Sequence, residues 1–210
     1  MKKGAFIAFE GLDGSGKTTQ FNALKDKLTK LKINCKEEKE PSDRNLVGLM
    51  IRGLVKGAWG PAISPVSLAK LFSVDRYEHV ANDIKPYIDN GGHVIIDRFI
   101  LSSFAYQGLT CSFDEIYYYN RDVIKLLMPD ITFFIDTAPE ICMSRIDNAR
   151  VGKELFDEKG VAVREKFFEA MDKLKDTANV LVIDGNKPPE VITDEIWKAV
   201  EPFISSGTNP

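Results

Sequence analysis

The sequence predicts an α/β fold, a five-stranded parallel sheet with helices on both faces and a mobile lid. Three observations carry that prediction. Apolar runs at Ala5–Phe9, His93–Asp97, Ile131–Asp136 and Val180–Ile183, with a weaker, charge-interrupted one at Ile33–Glu38, alternate with stretches of helical spacing. The strongest runs are continuously apolar, as in strands covered on both faces. The first run leads straight into Gly11-Leu12-Asp13-Gly14-Ser15-Gly16-Lys17-Thr18, a fit to the phosphate-loop pattern G-x-x-x-x-G-K-[ST].

That loop organises the chain. Its glycines leave backbone N–H groups free to point inward, and the helix that follows adds partial positive charge at its N-terminus. Phe21, Leu24, Leu28 and Leu31 give that helix its apolar face. Gly11, Asp13, Gly14, Ser15, Gly16 and Thr19 would cradle a nucleoside triphosphate. Lys17 would reach the β- and γ-phosphates, and the Thr18 hydroxyl would ligate Mg²⁺. A ligand-free glycine turn fits less well, because strand, loop and helix stand in the order a P-loop NTPase fold requires.

The remaining elements follow in order. Glu40-Pro41-Ser42-Asp43 turns the chain, and residues 44–56 form a short amphipathic helix. A long helix opens with Ser64 as N-cap and Pro65 at the first position, and runs to Ile88 with a bend expected at Pro86. Ser112 and Glu115 make a capping box for a helix to about Met128, and Thr137 with Glu140 reads as another. Residues 145–160 are charged and glycine-flanked, a candidate lid. A helix then resumes to Leu174, and Pro189 opens the closing helix, which holds Trp197.

With 210 residues, 44% of them hydrophobic, the chain fits a single domain spanning 1–210 with the lid at about 145–160. A net charge of −3 argues against a dedicated nucleic-acid or membrane surface. Cys35, Cys111 and Cys142 are scattered, which suggests free thiols in a reducing compartment. Met1-Lys2-Lys3 runs directly into the first strand, and no apolar run approaches the length of a membrane span, so a soluble cytoplasmic protein is expected.

Ligands of parallel sheets sit at the carboxyl ends of the strands. Asp97-Arg98 follows the third strand at that edge. A capping pair is one reading. The other has Asp97 holding Mg²⁺ through water and Arg98 gripping an acceptor phosphate with its planar fork. Phe72, Arg76 and His79 share a helix face. They are either core or a base-stacking set, with His79 structural or exposed. Arg145, Arg150 and Lys153 are solvated lid residues or the cations that phosphoryl transfer needs over the γ-phosphate. Ser103, Tyr106 and Gln107 come soon after Arg98 and could line the acceptor pocket.

Together FEGLDGSGKTTQ, Glu40-Pro41, LFSVDRYEHV, VIIDRFILSSFAYQG, IDTAPE and VIDG resemble the thymidylate kinases, over residues 5–185 and in that family's order. The resemblance implies ATP and dTMP as substrates, dTDP and ADP as products, and a homodimer. It implies that Asp13 bonds the acceptor 3′-hydroxyl, Phe72 stacks on thymine, Arg76 bonds its O4 and Arg98 holds the dTMP phosphate. Ser103 and Gln107 would line the base pocket, Tyr106 would exclude a ribose 2′-hydroxyl, and Glu40 would support the closed site. Where some members carry a basic residue inside the loop, this chain has Gly14, consistent with arginines supplied by the lid. Ser42-Asp43 replaces the usual Gly-Gly, with Arg44 or Arg52 as compensation.

Two rival functions remain. A deoxynucleoside kinase would use Glu40 as base toward a 5′-hydroxyl. A GTPase-type switch needs N-K-x-D, but Asn186-Lys187-Pro188-Pro189 puts proline at the acidic position.

Overall fold

A computed structural model describes residues 3–57, 63–149 and 159–205. The elements in order are β1 (Phe6–Gly11), α1 (Lys17–Lys30), β2 (Cys35–Lys39), α2 (Leu46–Val55), α3 (Pro65–His79), α4 (Lys85–Asp89), β3 (His93–Asp97), α5 (Ile100–Tyr106), α6 (Phe113–Leu126), β4 (Ile131–Asp136), α7 (Pro139–Ala149), α8 (Gly160–Lys173), β5 (Val180–Asp184) and α9 (Pro189–Ser205). A π-helical turn, Val80–Ile84, joins α3 to α4. The strands form one parallel sheet in the order β2-β3-β1-β4-β5. Strand order reverses at β1, so the loop after β1 opens into the crevice where such sheets bind ligands.

β1 shows why the strongest strands read as continuous apolar runs. Phe6 and Ala8 pack into one core layer with Val94, Ile96, Phe104, Phe134 and Phe167. Ile7 and Phe9 pack into the opposite layer with Leu24, Leu28, Ile95, Phe133 and Ile196. Alternate side chains point to opposite faces, and both faces are covered. Edge strand β2 is instead charged (Cys35-Lys36-Glu37-Glu38-Lys39), a composition that discourages pairing with a second sheet.

Several local signals act as their chemistry dictates. Ser64 accepts from Ser67 N and Pro65 occupies the first turn of α3. Ser112 and Glu115 close both halves of the capping box on α6. The expected bend at Pro86 takes the form of the π turn just before it. The proline has no N–H to offer, and Lys85 N bonds back to Val80 O in the wider spacing. Thr137 is a correction. It precedes α7 by two residues, and its hydroxyl donates to Ser15 O at 2.9 Å instead of capping the helix.

Candidate active site

The loop between β1 and α1 is shaped by close backbone approach. At Gly14, φ is +75° and a Cβ would lie 2.4 Å from Cys142 O of α7. At Gly11, φ is +143° and a Cβ would lie 2.6 Å from Ile135 O of β4. Lys17 is buried, with Nζ donating to Leu12 O at 2.9 Å. Burial lowers its pKa, and the nearby Arg98 charge adds to that effect. Thr18 and Thr19 are exposed on the first turn of α1, while Ser15 Oγ is buried with no hydrogen-bond partner among the described residues. From α7, the exposed Arg145 reaches back to the loop, its Nη1 3.2 Å from Gly14 O and 3.3 Å from Ser15 O. Arg150 and Lys153, with the rest of 150–158 of the expected lid, lie outside the described residues.

At the end of β3, Asp97 Oδ1 is buried without a hydrogen-bond partner among the described residues. Arg98 adopts φ +68°, a left-handed conformation uncommon for a residue other than glycine. Its side chain donates to Asp13 Oδ1 at 2.7 Å, to Ser102 Oγ at 3.0 Å and to Gly11 O at 3.2 Å, and its guanidinium lies 4.8 Å from the Tyr106 ring centre. Buried Glu10 fixes the backbone beyond it. One carboxylate oxygen accepts from Phe99 N (2.9 Å) and Ser102 N (3.0 Å), and the other accepts from Ser102 Oγ (2.5 Å). Sequence reasoning passed over Glu10 because an acidic residue inside an apolar strand has no local signature of its partners.

Between this edge and the helices lies a cavity of about 260 Å³. Asp13, Glu40, Phe72, Arg76, Arg98, Ser103, Tyr106 and Gln107, the residues expected around the acceptor, all line it, and so do Asp97 and Arg52. Arg52 and Arg44 part company here. Arg52 faces the cavity and donates to Pro41 O, whereas Arg44 Nε binds Glu38 Oε2 at 3.0 Å. Phe72 is half-buried in the cavity wall.

Arg76 is 1% exposed and heavily bonded. Nε donates to Glu40 Oε2 (2.7 Å), Nη1 to Ser103 Oγ (2.9 Å) and to Asn120 Oδ1 (2.6 Å), and Nη2 to Phe99 O (3.2 Å). His79 is structural and not exposed. It is fully buried, with Nε2 3.0 Å from Glu38 Oε2. Burial pushes Glu40 up to about 7 against the pull of the Arg76 charge. Burial also acts to raise Glu38, but hydrogen bonds from His79, Lys36 and Arg44 prevail and hold it at about 2. Asp75 anchors the turn after β2, accepting from Ser42 N and Asn45 Nδ2, both at 2.8 Å.

The arrangement puts a phosphate-binding loop, three arginines and an aromatic wall around one crevice. That is the equipment for holding two phosphorylated ligands end to end. Comparison with known proteins agrees. The thymidylate kinase family model matches residues 9–196. A thymidylate kinase of Lactobacillus helveticus is 32% identical over 205 residues, covering 95% of this chain and 96% of its own. One from Clostridium novyi is 34% identical over 206 residues (93% and 98%), and one from Carboxydothermus hydrogenoformans is 34% identical over 196 (92% and 95%). With the match running from the end of β1 into α9, over the loop and the cavity alike, the chain belongs to the thymidylate kinase family.

Proposed function

We infer that the chain transfers the γ-phosphoryl group of ATP to dTMP, giving dTDP and ADP. The observation that carries the reading is the single cavity joining Asp13 and Arg98, beside the phosphate loop, to Phe72 and Arg76 on α3. The acceptor oxygen is already anionic, so in-line attack needs no general base, and positioning and charge neutralisation do the catalysis. Lys17 and the loop N–H groups hold the ATP phosphates. Arg98 holds the dTMP phosphate, Asp13 its 3′-hydroxyl, and Phe72 stacks on thymine while Arg76 bonds O4. Tyr106, with Ser103 and Gln107, closes the pocket against a ribose. Arg145, joined by Arg150 and Lys153 of a lid at about 145–160 within a single domain, neutralises charge developing on the γ-phosphoryl.

The residues present fit Mg²⁺. The Thr18 hydroxyl stands on the first turn of α1, and Asp97 Oδ1, without a partner among the described residues, offers a carboxylate oxygen for a metal-bound water. The ion would neutralise the phosphate oxygens. Glu40 Oε2 binds Arg76 Nε and leaves Oε1 without a hydrogen-bond partner among the described residues, so thymidine against dTMP as acceptor is what separates a nucleoside kinase from this reading.

A homodimer is supported by exposed apolar residues on three helices that pack side by side. Leu46, Leu49 and Met50 of α2, Val74 and Tyr77 of α3, and Tyr117 and Tyr118 of α6 are exposed. No helix among the described residues is long and apolar enough to cross a membrane, and the cytoplasm is the proposed location.

The test is ADP release with ATP and Mg²⁺, offering dTMP, dUMP, dCMP, dGMP and thymidine separately. Selective turnover of dTMP is expected. Turnover of thymidine alone would make the protein a nucleoside kinase.

A further inference from the structure

We propose that Asn120 is a specificity-determining positioning residue, which sets the one N–H that Arg76 presents to the acceptor base. The inference rests on the assignment of dTMP as acceptor.

A guanidinium carries five N–H donors in a rigid fork. Four of Arg76's are taken: Nε by Glu40, both Nη1 hydrogens by Ser103 and Asn120, and one Nη2 hydrogen by Phe99 O. Among the described residues a single Nη2 hydrogen is left over, on a side chain that lines the cavity. One fixed donor suits a base with an acceptor at its 4-position and meets a clash of donors in a base with a 4-amino group. The direction of that donor depends on the plane of the guanidinium, and the plane depends on what holds Nη1.

Asn120 differs from the other holders. Glu40, Ser103 and Phe99 line the cavity and can touch a ligand themselves, whereas Asn120 lies behind Arg76 on α6 and does not line it. Asn120 therefore reaches the acceptor through Arg76 and not by touching it. Its bond to Nη1, at 2.6 Å, is the shortest of the four. Its amide is also oriented without ambiguity. Nδ2 donates to Ile116 O at 2.8 Å, which turns Oδ1 toward Arg76. Asn120 is 1% exposed, so water cannot replace the bond if the side chain is removed.

Two variants separate positioning from packing. N120L removes both amide bonds. N120D keeps an acceptor toward Arg76 and gives up only the donor to Ile116 O. Steady-state kinetics with dTMP, dCMP and ATP, beside thermal melts, provide the readouts. N120L should raise KM for dTMP roughly tenfold and reduce the preference for dTMP over dCMP by a similar factor, with KM for ATP unchanged. N120D should stay within about threefold of the parent in both quantities, because a charge-assisted acceptor replaces the neutral one. Equal losses in the two variants, or KM for ATP rising in step with KM for dTMP, would make Asn120 a packing residue of α6 and overturn the proposal. If N120L does not fold, a tenfold rise in KM for dTMP in N120D has the same meaning. No turnover of dTMP by the unaltered enzyme overturns the acceptor assignment and this proposal together. Normal turnover with an unchanged N120L preference overturns only the role of Asn120.

Discussion

Replacing Gly14 by alanine adds one methyl group, and the structure says what it meets. The new Cβ would lie 2.4 Å from Cys142 O, 3.0 Å from its carbonyl carbon and 3.1 Å from its Cα. All three are backbone atoms of α7, so no side chain can swing aside. A non-glycine residue in the left-handed region costs about 1–2 kcal/mol, and forcing a packed helix to shift costs about 1–3 kcal/mol. The sum is roughly 2–5 kcal/mol, which for a chain of this length lowers Tm by roughly 4–20 °C. Moving α7 also moves Arg145 away from Gly14 O and Ser15 O. Melts followed by circular dichroism, with KM for ATP measured on the same preparation, test both consequences. G14A should melt well below the parent and bind ATP more weakly. A Tm within about 2 °C of the parent, with KM for ATP unchanged, would refute the close approach of loop and helix. The same clash bears on Gly14→Arg. A basic residue inside the loop cannot simply be added to this chain, because α7 occupies the space and already delivers a cation there.

Three further outcomes are expected. R98A should lower kcat/KM for dTMP by roughly a hundredfold or more with a small change in Tm, and near-normal turnover would remove Arg98 from the acceptor site. F72A should raise KM for dTMP roughly tenfold, the worth of one stacked base, while KM for ATP holds; an unchanged KM for dTMP would return Phe72 to the core. Glu38 is held at about 2 against an ordinary value of 4.5, so its contribution is present above pH 4.5 and is lost as pH falls toward 2. Urea unfolding from pH 6 down to pH 3 should show E38Q less stable by roughly 1–3 kcal/mol at pH 6, with the gap narrowing below pH 4.5; a pH-independent gap would refute the charge network around Glu38.

What the sequence reveals, and what it withholds, divides along the range of the interaction. The loop, the caps at Ser64 and Ser112, and the helix after Pro65 depend on residues within a few positions of one another, and each is legible in the chain. Doubly buried strands are legible too, because covering both faces leaves an apolar run. The left-right order of the strands is not, since it depends on which crossover packs where. Glu10 accepts from residues 89 and 92 positions away, and Asn120 meets Arg76 across 44. In sequence each is one polar residue in an ordinary strand or helix. Thr137 shows the same limit from the other side. Its spacing to Glu140 fits a capping box, but Ser15 O, 122 positions away, takes the hydroxyl. The chain offers Arg44 and Arg52 alike as compensation, but α2 carries Arg52 to the cavity while Arg44, ahead of the N-cap Asn45, binds Glu38.

The two phosphate-facing halves of the site are fixed by one stretch of backbone. Residues 11–18 form the loop, and the same strand holds Arg98 in its left-handed conformation. Arg98 N donates to Phe9 O at 2.9 Å, Glu10 anchors Phe99 and Ser102 immediately beyond, and Gly11 O and Asp13 take the guanidinium. A left-handed arginine costs about 1–2 kcal/mol, and hydrogen bonds on both sides of it offset that cost. In-line transfer tolerates little error between donor phosphate and acceptor phosphate. In the proposed reading both phosphates hang from the central strand of the sheet, which ties their separation to one stretch of backbone. Base selection, in the same proposed reading, is built on other elements: Phe72 and Arg76 on α3, Ser103 on α5 and Asn120 on α6. Changes there can alter which nucleotide enters while leaving untouched the distance across which the phosphoryl group moves.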